Sequence, residues 1–215
     1  MLVAVLLAVA AILGLAAVLP AVSSASPAAP AWSFITTTST STNSPRQMVA
    51  SPDGSRVYVA ANNGSNSSPA GTIYVLDGTT GAVLDTIPTP DWVVGLGISP
   101  DGTTLYAGID ERNDPPHQPG GIYTIDISTK VITPADAPAT EGGSWDIVVS
   151  PDGSRVFGTS GQEPPSESFA VLSTGTNTLT NVTIPQLDSF PGGLYSGALT
   201  PDGSRYYAAG CDKHD

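Results

Sequence analysis

Apolar residues in this chain of 215 residues fall in short runs separated by clusters of Ser, Thr, Gly, Pro and Asp. Two runs flank a recurring polar phrase. Before it stand Met48-Val49-Ala50, Gly97-Ile98, Ile147-Val148-Val149 and Gly197-Ala198-Leu199. After it stand Val57 to Ala60, Leu105 to Ala107, Val156 to Gly158 and Tyr206 to Ala208. Runs this short, rich in β-branched and aromatic residues and bounded by turn formers, predict strands. Two more runs follow in the first unit, Thr72 to Asp77 and Ala82 to Ile87, around Gly78-Thr79-Thr80-Gly81. The second unit repeats them as Gly121 to Asp126 and Val131-Ile132, the third as Ser168 to Leu172 and Thr178 to Ile184. No helical period occurs after residue 26, so the expected unit is four antiparallel strands, A to D.

The polar phrase fixes the period. Ser-Pro-Asp-Gly begins at Ser51, Ser99 and Ser150, and a Thr-led copy begins at Thr200, giving steps of 48, 51 and 50 residues. A period near fifty with one such turn per unit is the signature of a repeat architecture. Each residue of the phrase has a mechanical role. Proline (Pro52, Pro100, Pro151, Pro201) presets φ for the second turn position. Aspartate (Asp53, Asp101, Asp152, Asp202) accepts hydrogen bonds from the turn backbone. Glycine (Gly54, Gly102, Gly153, Gly203) takes the positive φ that closes a bulged hairpin. A carboxylate repeated in every turn is read as a turn device rather than a catalytic or metal-binding group, with the following Arg expected to pair with it or with a neighbouring unit.

The wording of residues 51–63, SPDGSRVYVAANN, and of 71–88, GTIYVLDGTTGAVLDTIP, resembles the YVTN-type β-propeller repeat family. That family includes YncE-like proteins, surface-layer proteins and relatives of lactonase-type propellers. The resemblance covers roughly residues 45 to 210 and implies an all-β, partial β-propeller of antiparallel four-stranded blades: three complete blades plus a final hairpin. Repeats start near 45, 93, 144 and 194, and strand A of each blade is expected to line the axis. Family members usually carry about seven repeats closed into a ring. The expectation here is therefore a truncated product or one part of a larger assembly, needing further blades or self-association to close. Residues 32–38 read as a lone strand of the kind that completes a last blade.

The N-terminal region sets the compartment. Residues 2–22 are almost wholly apolar and lead into Ser23-Ser24-Ala25-Ser26-Pro27. Small residues there fit a signal-peptidase site after Ala25, although the n-region lacks Lys and Arg. Residues 1–25 are thus read as a signal peptide, with a membrane anchor as the alternative because about 20 apolar residues span a bilayer. Residues 26–44 form a Ser/Thr/Ala/Pro-rich leader, and 45–215 the repeat domain. Cys211 is the single cysteine, so no intrachain disulfide forms.

The net charge of −12 argues against nucleic acid and anionic membrane surfaces as partners. In the expected blade order the A–B and C–D turns share one face and the B–C and D–A loops the other. The loop face holds Asp91, Asp110, Glu111, Asp114, Asp136, Glu141, Glu163, Glu167 and Asp188, with Arg112 as its clear base. Its loops also differ from unit to unit, whereas the turns are near copies, and function concentrates on loops held by a scaffold.

Candidate chemistry is sparse. Asp110, Glu111 and Asp114 put hard oxygen ligands close together, a weak Ca²⁺ site set against the plainer reading of a solvated loop. No other cofactor is expected. Trp92, Trp145 and Tyr195 stand where D–A loops enter strand A and offer a ligand-stacking platform, set against packing between blades. The terminal Cys211 to Asp215 cluster lacks the ligand count of a zinc site. No Ser/His/Asp constellation is assembled, so no catalytic residue is named. The expected function is an exported, non-catalytic repeat protein that binds a protein or cell-envelope partner through its acidic loop face. The alternative is a lactonase-like propeller enzyme of which this chain is part.

Overall fold

The computed structural model describes residues 43–63, 71–110, 120–136, 144–160, 168–183 and 194–210. The expected signal segment, the lone strand at 32–38, most loop-face acids and Cys211 lie outside them. The described residues are all-β, without helix. The first sheet is β1 (Asn43–Ala50), β2 (Arg56–Asn63), β3 (Gly71–Asp77) and β4 (Val83–Thr89), in that order. The second is β5 (Trp92–Ile98), β6 (Thr104–Asp110), β7 (Gly121–Asp126) and β8 (Ile132–Pro134), and the third is β9 (Ser144–Val149), β10 (Arg155–Ser160), β11 (Ser168–Ser173) and β12 (Thr178–Thr183). A hairpin, β13 (Leu194–Leu199) and β14 (Tyr206–Gly210), completes the set. All pairings named by register are antiparallel and follow chain order, which is the blade-like architecture of a propeller. β1 begins at Asn43, two residues inside the stretch expected to be leader, and β8 is cut to three residues, ending at Pro134.

The first strands sit innermost. β1, β5, β9 and β13 neighbour one another from sheet to sheet, and β5, β9 and β13 each also meet the second strand of the preceding sheet. Met48, Ile98, Val148 and Ala198 therefore lie on the axial strands, as the repeat predicts. Successive side chains of a strand face opposite ways, so in a stack of sheets both directions are interior. This is why β5 and β6, in the second blade, are buried through their centres on both faces.

The blades dock by a repeated contact. The aromatic seven residues after the turn serine, Tyr58 in the first blade and Tyr106 in the second, reaches the next blade. Tyr58 clusters with Leu96 and Leu105, Tyr106 with Ile147 and Val156. In the third blade Phe157 takes this position and stacks on Tyr206, with ring centroids 4.8 Å apart and 16° between planes. Leu105, Val156 and Tyr206 share one repeat position, so each interface opposes an aromatic to a fixed partner site.

The turns behave as read. Gly54, Gly102, Gly153 and Gly203 have φ between +69° and +73°. Asp53 accepts from the Ser51 hydroxyl (2.6 Å) and the Ser55 N–H (3.0 Å), and Asp152 does the same with Ser150 and Ser154. The arginine does not pair with this carboxylate. Arg56 Nη1 donates instead to the Ser55 carbonyl, 2.8 Å away, because the aspartate is already engaged by two nearer donors. Among the described residues, Lys130 and Asp85 form an ion pair between blades (2.7 Å), on the outer strand side and half exposed, so it is worth about 0–1 kcal/mol. Lys130 itself has φ +59°, at the position Gly81 holds in the first blade.

These bonds lower the turn carboxylates. Asp53, Asp152 and Asp202 are held at about 2, below the ordinary 3.8, first by the Ser or Thr hydroxyl and then by the backbone N–H. A carboxylate depressed in the folded state contributes stability above its ordinary value, and that contribution disappears as pH falls through the folded one. The melting temperature should therefore drop between about pH 4 and pH 2. In the triple variant Asp53→Asn, Asp152→Asn, Asp202→Asn the drop over that window should be smaller. A melt series that gives parent and triple variant the same profile over this range would show that the turns carry no such linkage.

Candidate functional site

Each first strand departs from regular pairing near its loop-face end. β1 shifts register between Pro45 and Met48, β5 between Val93 and Gly95, β9 opposite Gly158 to Ser160, and β13 between Leu194 and Ser196. Each shift adds one residue to the axial strand, and such a bulge re-aims side chains and twists the strand end. Counting back from the turn Ser or Thr, the fifth residue is Arg46, Val94, Trp145 or Tyr195, and the fourth is Gln47, Gly95, Asp146 or Ser196.

The fourth-position side chains form a polar relay along the axis. Gln47 Oε1 accepts from the Leu96 N–H of the second blade (2.6 Å). Asp146 Oδ2 accepts from the Gly197 N–H (2.8 Å) and the Ser196 hydroxyl (3.2 Å) of the hairpin. The second blade has Gly95 here and no side chain to continue the chain of contacts. Gln47 spans it: its Nε2 donates to Asp146 Oδ1 at 3.0 Å, joining the first blade to the third. Below this relay the Tyr206 hydroxyl fills the space that a Cβ at Gly197 would need. Burial, with the Asp146 charge adding to it, pushes Tyr206 up to about 12.

The aromatic residues do not form a single ring. Trp92, the first residue of β5, is half-buried with the Arg46 guanidinium 5.6 Å above its ring, a cation–π distance. Trp92 stands two residues earlier in its repeat than Trp145 and Tyr195 do in theirs, so the three are not equivalent. Tyr195 lies at the β13 bulge and is exposed. Trp145 belongs to β9, but its side chain lies outside the described residues. Arg46, the repeat equivalent of Trp145 and Tyr195, is a base on the first strand near its loop-face end. Its signal was the count back from the turn.

The polar clamp between the first two blades sits next to this platform. Asn62 donates from Nδ2 to the Val93 carbonyl (3.1 Å) and accepts at Oδ1 from the Val93 N–H (3.0 Å). One side chain thus substitutes for a strand pairing across the blade gap. Thr89 and the Asp91 carbonyl close over Gly71 beside it. Asp110, a predicted metal ligand, occupies in the second blade the repeat position of Asn62 and pairs in register with Trp92. Its proposed co-ligands Glu111 and Asp114 lie outside the described residues, and among the described residues no group of three acids, histidines or cysteines is placed to hold a metal ion. Asp136 lies at the outer rim, where its backbone bonds Asn177 and Leu179 of the third blade.

No family model and no curated protein matches the chain. A solved structure, Kuenenia stuttgartiensis hydrazine synthase, is similar with a TM-score of 0.56 over 83% of this chain. What the two share is the fold. Their sequences are 19% identical, and the match spans 45% of the synthase chain, so this chain covers less than half of that protein's length. The site residues described above therefore stand on this chain's own geometry. Among the described residues no helix is long and apolar enough to cross a membrane.

Proposed function

We propose that the chain is an exported, non-catalytic binding scaffold of the YVTN-type, YncE-like propeller group, and that its partner is a cationic protein or cell-envelope component held on the loop face. The carrying observation is the different use of carboxylates on the two faces. On the turn face Asp53, Asp77, Asp101, Asp126, Asp152 and Asp202 accept bonds from their own turns, so those charges are engaged in shape. The loop face carries acids in segments that do not repeat, 111–119, 137–143, 161–167 and 184–193. Arg46 on Trp92 gives that face a planar element near the axis, and aromatic faces with adjacent charge suit adaptable recognition. Export follows from the apolar segment 2–22 and the small residues after it.

Titration calorimetry with a lysine-rich peptide tests this reading. Heat of binding is expected at low salt and should weaken steeply as ionic strength rises, because exposed charges are screened over about 8 Å at physiological salt. The variant Glu111→Gln, Asp114→Asn, Glu163→Gln, Glu167→Gln should lose the signal, with Asp152→Asn retaining it. Equal curves for the parent and the loop variant would exclude the loop face as the binding surface.

A further inference from the structure

The turns put one reactive dipeptide at five points of the chain. Asp-Gly stands at 53–54, 77–78, 101–102, 152–153 and 202–203. The fold calls for glycine at each of them. Gly54, Gly102, Gly153 and Gly203 hold φ between +69° and +73°, a region that residues with a Cβ rarely enter. At Gly78 a Cβ would run into the Gly54 carbonyl oxygen of the neighbouring turn. Aspartate is called for as the acceptor that caps the turn backbone.

Aspartate followed by glycine is the least hindered site for isomerisation. The glycine nitrogen attacks Cγ of the protonated carboxyl. A C–N bond forms, a C–O bond breaks, and the carboxyl hydroxyl leaves as water with the amide proton. Water then opens the succinimide ring at either carbonyl. Opening at the backbone carbonyl gives isoaspartate, whose main chain runs through the former side chain and is one methylene longer. A hairpin turn lengthened in this way loses its register.

In all five dipeptides both reacting groups are tied. The glycine N–H donates to a carbonyl: Gly54 to Ser51, Gly102 to Ser99, Gly153 to Ser150, Gly203 to Thr200 and Gly78 to Ser55, at 2.8 to 2.9 Å. The carboxylate accepts the N–H two residues on. In the four repeat turns it also accepts the hydroxyl two residues back, on Ser51, Ser99, Ser150 or Thr200. That hydroxyl is itself fixed, because it accepts the N–H of Arg56, Thr104, Arg155 or Arg205. Its one proton therefore lies on the aspartate side, since an ionised carboxylate only accepts. Asp77 has no such hydroxyl before it and is held instead by the N–H and hydroxyl of Thr80.

We infer that the hydroxyl ahead of each repeat turn is a chemical lock as well as a cap: it keeps the Asp-Gly bond from isomerising, so Asp53, Asp101, Asp152 and Asp202 stay unmodified in the folded chain. Ring closure needs the carboxylate to leave both donors and the glycine N–H to leave its acceptor. It also needs a protonated carboxyl, and the same bonds keep Asp53, Asp152 and Asp202 ionised down to about pH 2.

Peptide mapping during storage at neutral pH and physiological temperature tests it, with fragmentation that separates the two isomers of equal mass. The full chain is stored folded and, in parallel, unfolded in urea. Isoaspartate is expected at all five sites in urea and far more slowly at the four repeat turns of the folded chain. Ser150→Ala should raise the folded-state rate at Asp152 on the order of 10-fold, the factor that one hydrogen bond to a charged group is worth. Asp53 and Asp101 in that variant should keep the parent rate. Ser51→Ala is the same experiment at Asp53, and circular dichroism checks that each variant folds. Ser150→Thr, which gives the third turn the residue of the fourth, should behave as the parent. Isoaspartate forming in the folded parent as fast as in urea would overturn the inference. So would an Asp152 rate unchanged in Ser150→Ala, or a rise spread evenly over all the turns, as general loosening would give.

Discussion

Replacing Leu105 with alanine should destabilise the fold by about 2–5 kcal/mol, the range for truncating a fully buried leucine in a close-packed core. Leu105 is 0% exposed and lies between the first two blades, in one cluster with Tyr58, Leu96, Ile73 and Ile125. It pairs with Ile98 and Ile125 on either side within its own sheet. Nothing can collapse into the space without separating blades, so the loss should sit at the high end. Val83→Ala provides the contrast: at 47% exposure on β4 it should change stability by about 0.5 kcal/mol or less. Urea unfolding with unchanged slope is the readout. A Leu105→Ala midpoint no lower than that of Val83→Ala would show that the blades do not share this core.

The second large effect is expected at Asn62. Asn62→Ala removes both bonds to Val93 and leaves a buried N–H and C=O without partners. Each orphaned group costs about 1–3 kcal/mol, and the expected total is about 2–4 kcal/mol. Asn62→Asp distinguishes the clamp from simple packing. The carboxylate still accepts from the Val93 N–H but faces the Val93 carbonyl without a donor, at a site 1% exposed. Burial there raises its pKa, so the charged form destabilises at neutral pH and stability returns as pH falls and the group protonates. The Asp variant should thus lose more at pH 7 than at pH 5. In the second blade Asp110 holds the equivalent position, half-buried rather than buried. A loss for Asn62→Asp that is the same at both pH values would remove the hydrogen-bond account.

The turns and the strands flanking them were legible because each depends on a local rule. Pro52, Asp53 and Gly54 specify their turn within four residues, and Val57-Tyr58-Val59 specifies a strand without reference to a neighbour. The order of strands from axis to rim followed from the repeat. The axial site was less legible for a physical reason. A bulge adds a residue to one strand without altering residue type, so the alternation of apolar and polar positions near Gln47, Val94 and Asp146 does not announce it. The partners of Gln47 and Asp146 lie 49 to 99 residues away, beyond any local pattern. The fate of Arg56 was misread because the competition was local: Ser51 and Ser55 reach Asp53 first. The strand β8 stops at Pro134 because the chain leaves β7 after the bond from the Ala135 N–H to the Ile122 carbonyl, and Asp136 then bonds Asn177 and Leu179 of the third blade. The loop-face acids other than Asp91, Asp110 and Asp136 lie outside the described residues, so their grouping rests on strand order.

The division between a structural turn face and a binding loop face is the central claim. Hydrogen–deuterium exchange of the full chain, with and without a saturating lysine-rich peptide, tests it most directly. Protection should rise in segments 111–119, 161–167 and 184–193 and at the start of β5 around Trp92. Segments 51–56, 99–104, 150–155 and 200–205 should exchange at unchanged rates. Protection confined to those four turns, with the loop segments unaffected, would contradict it.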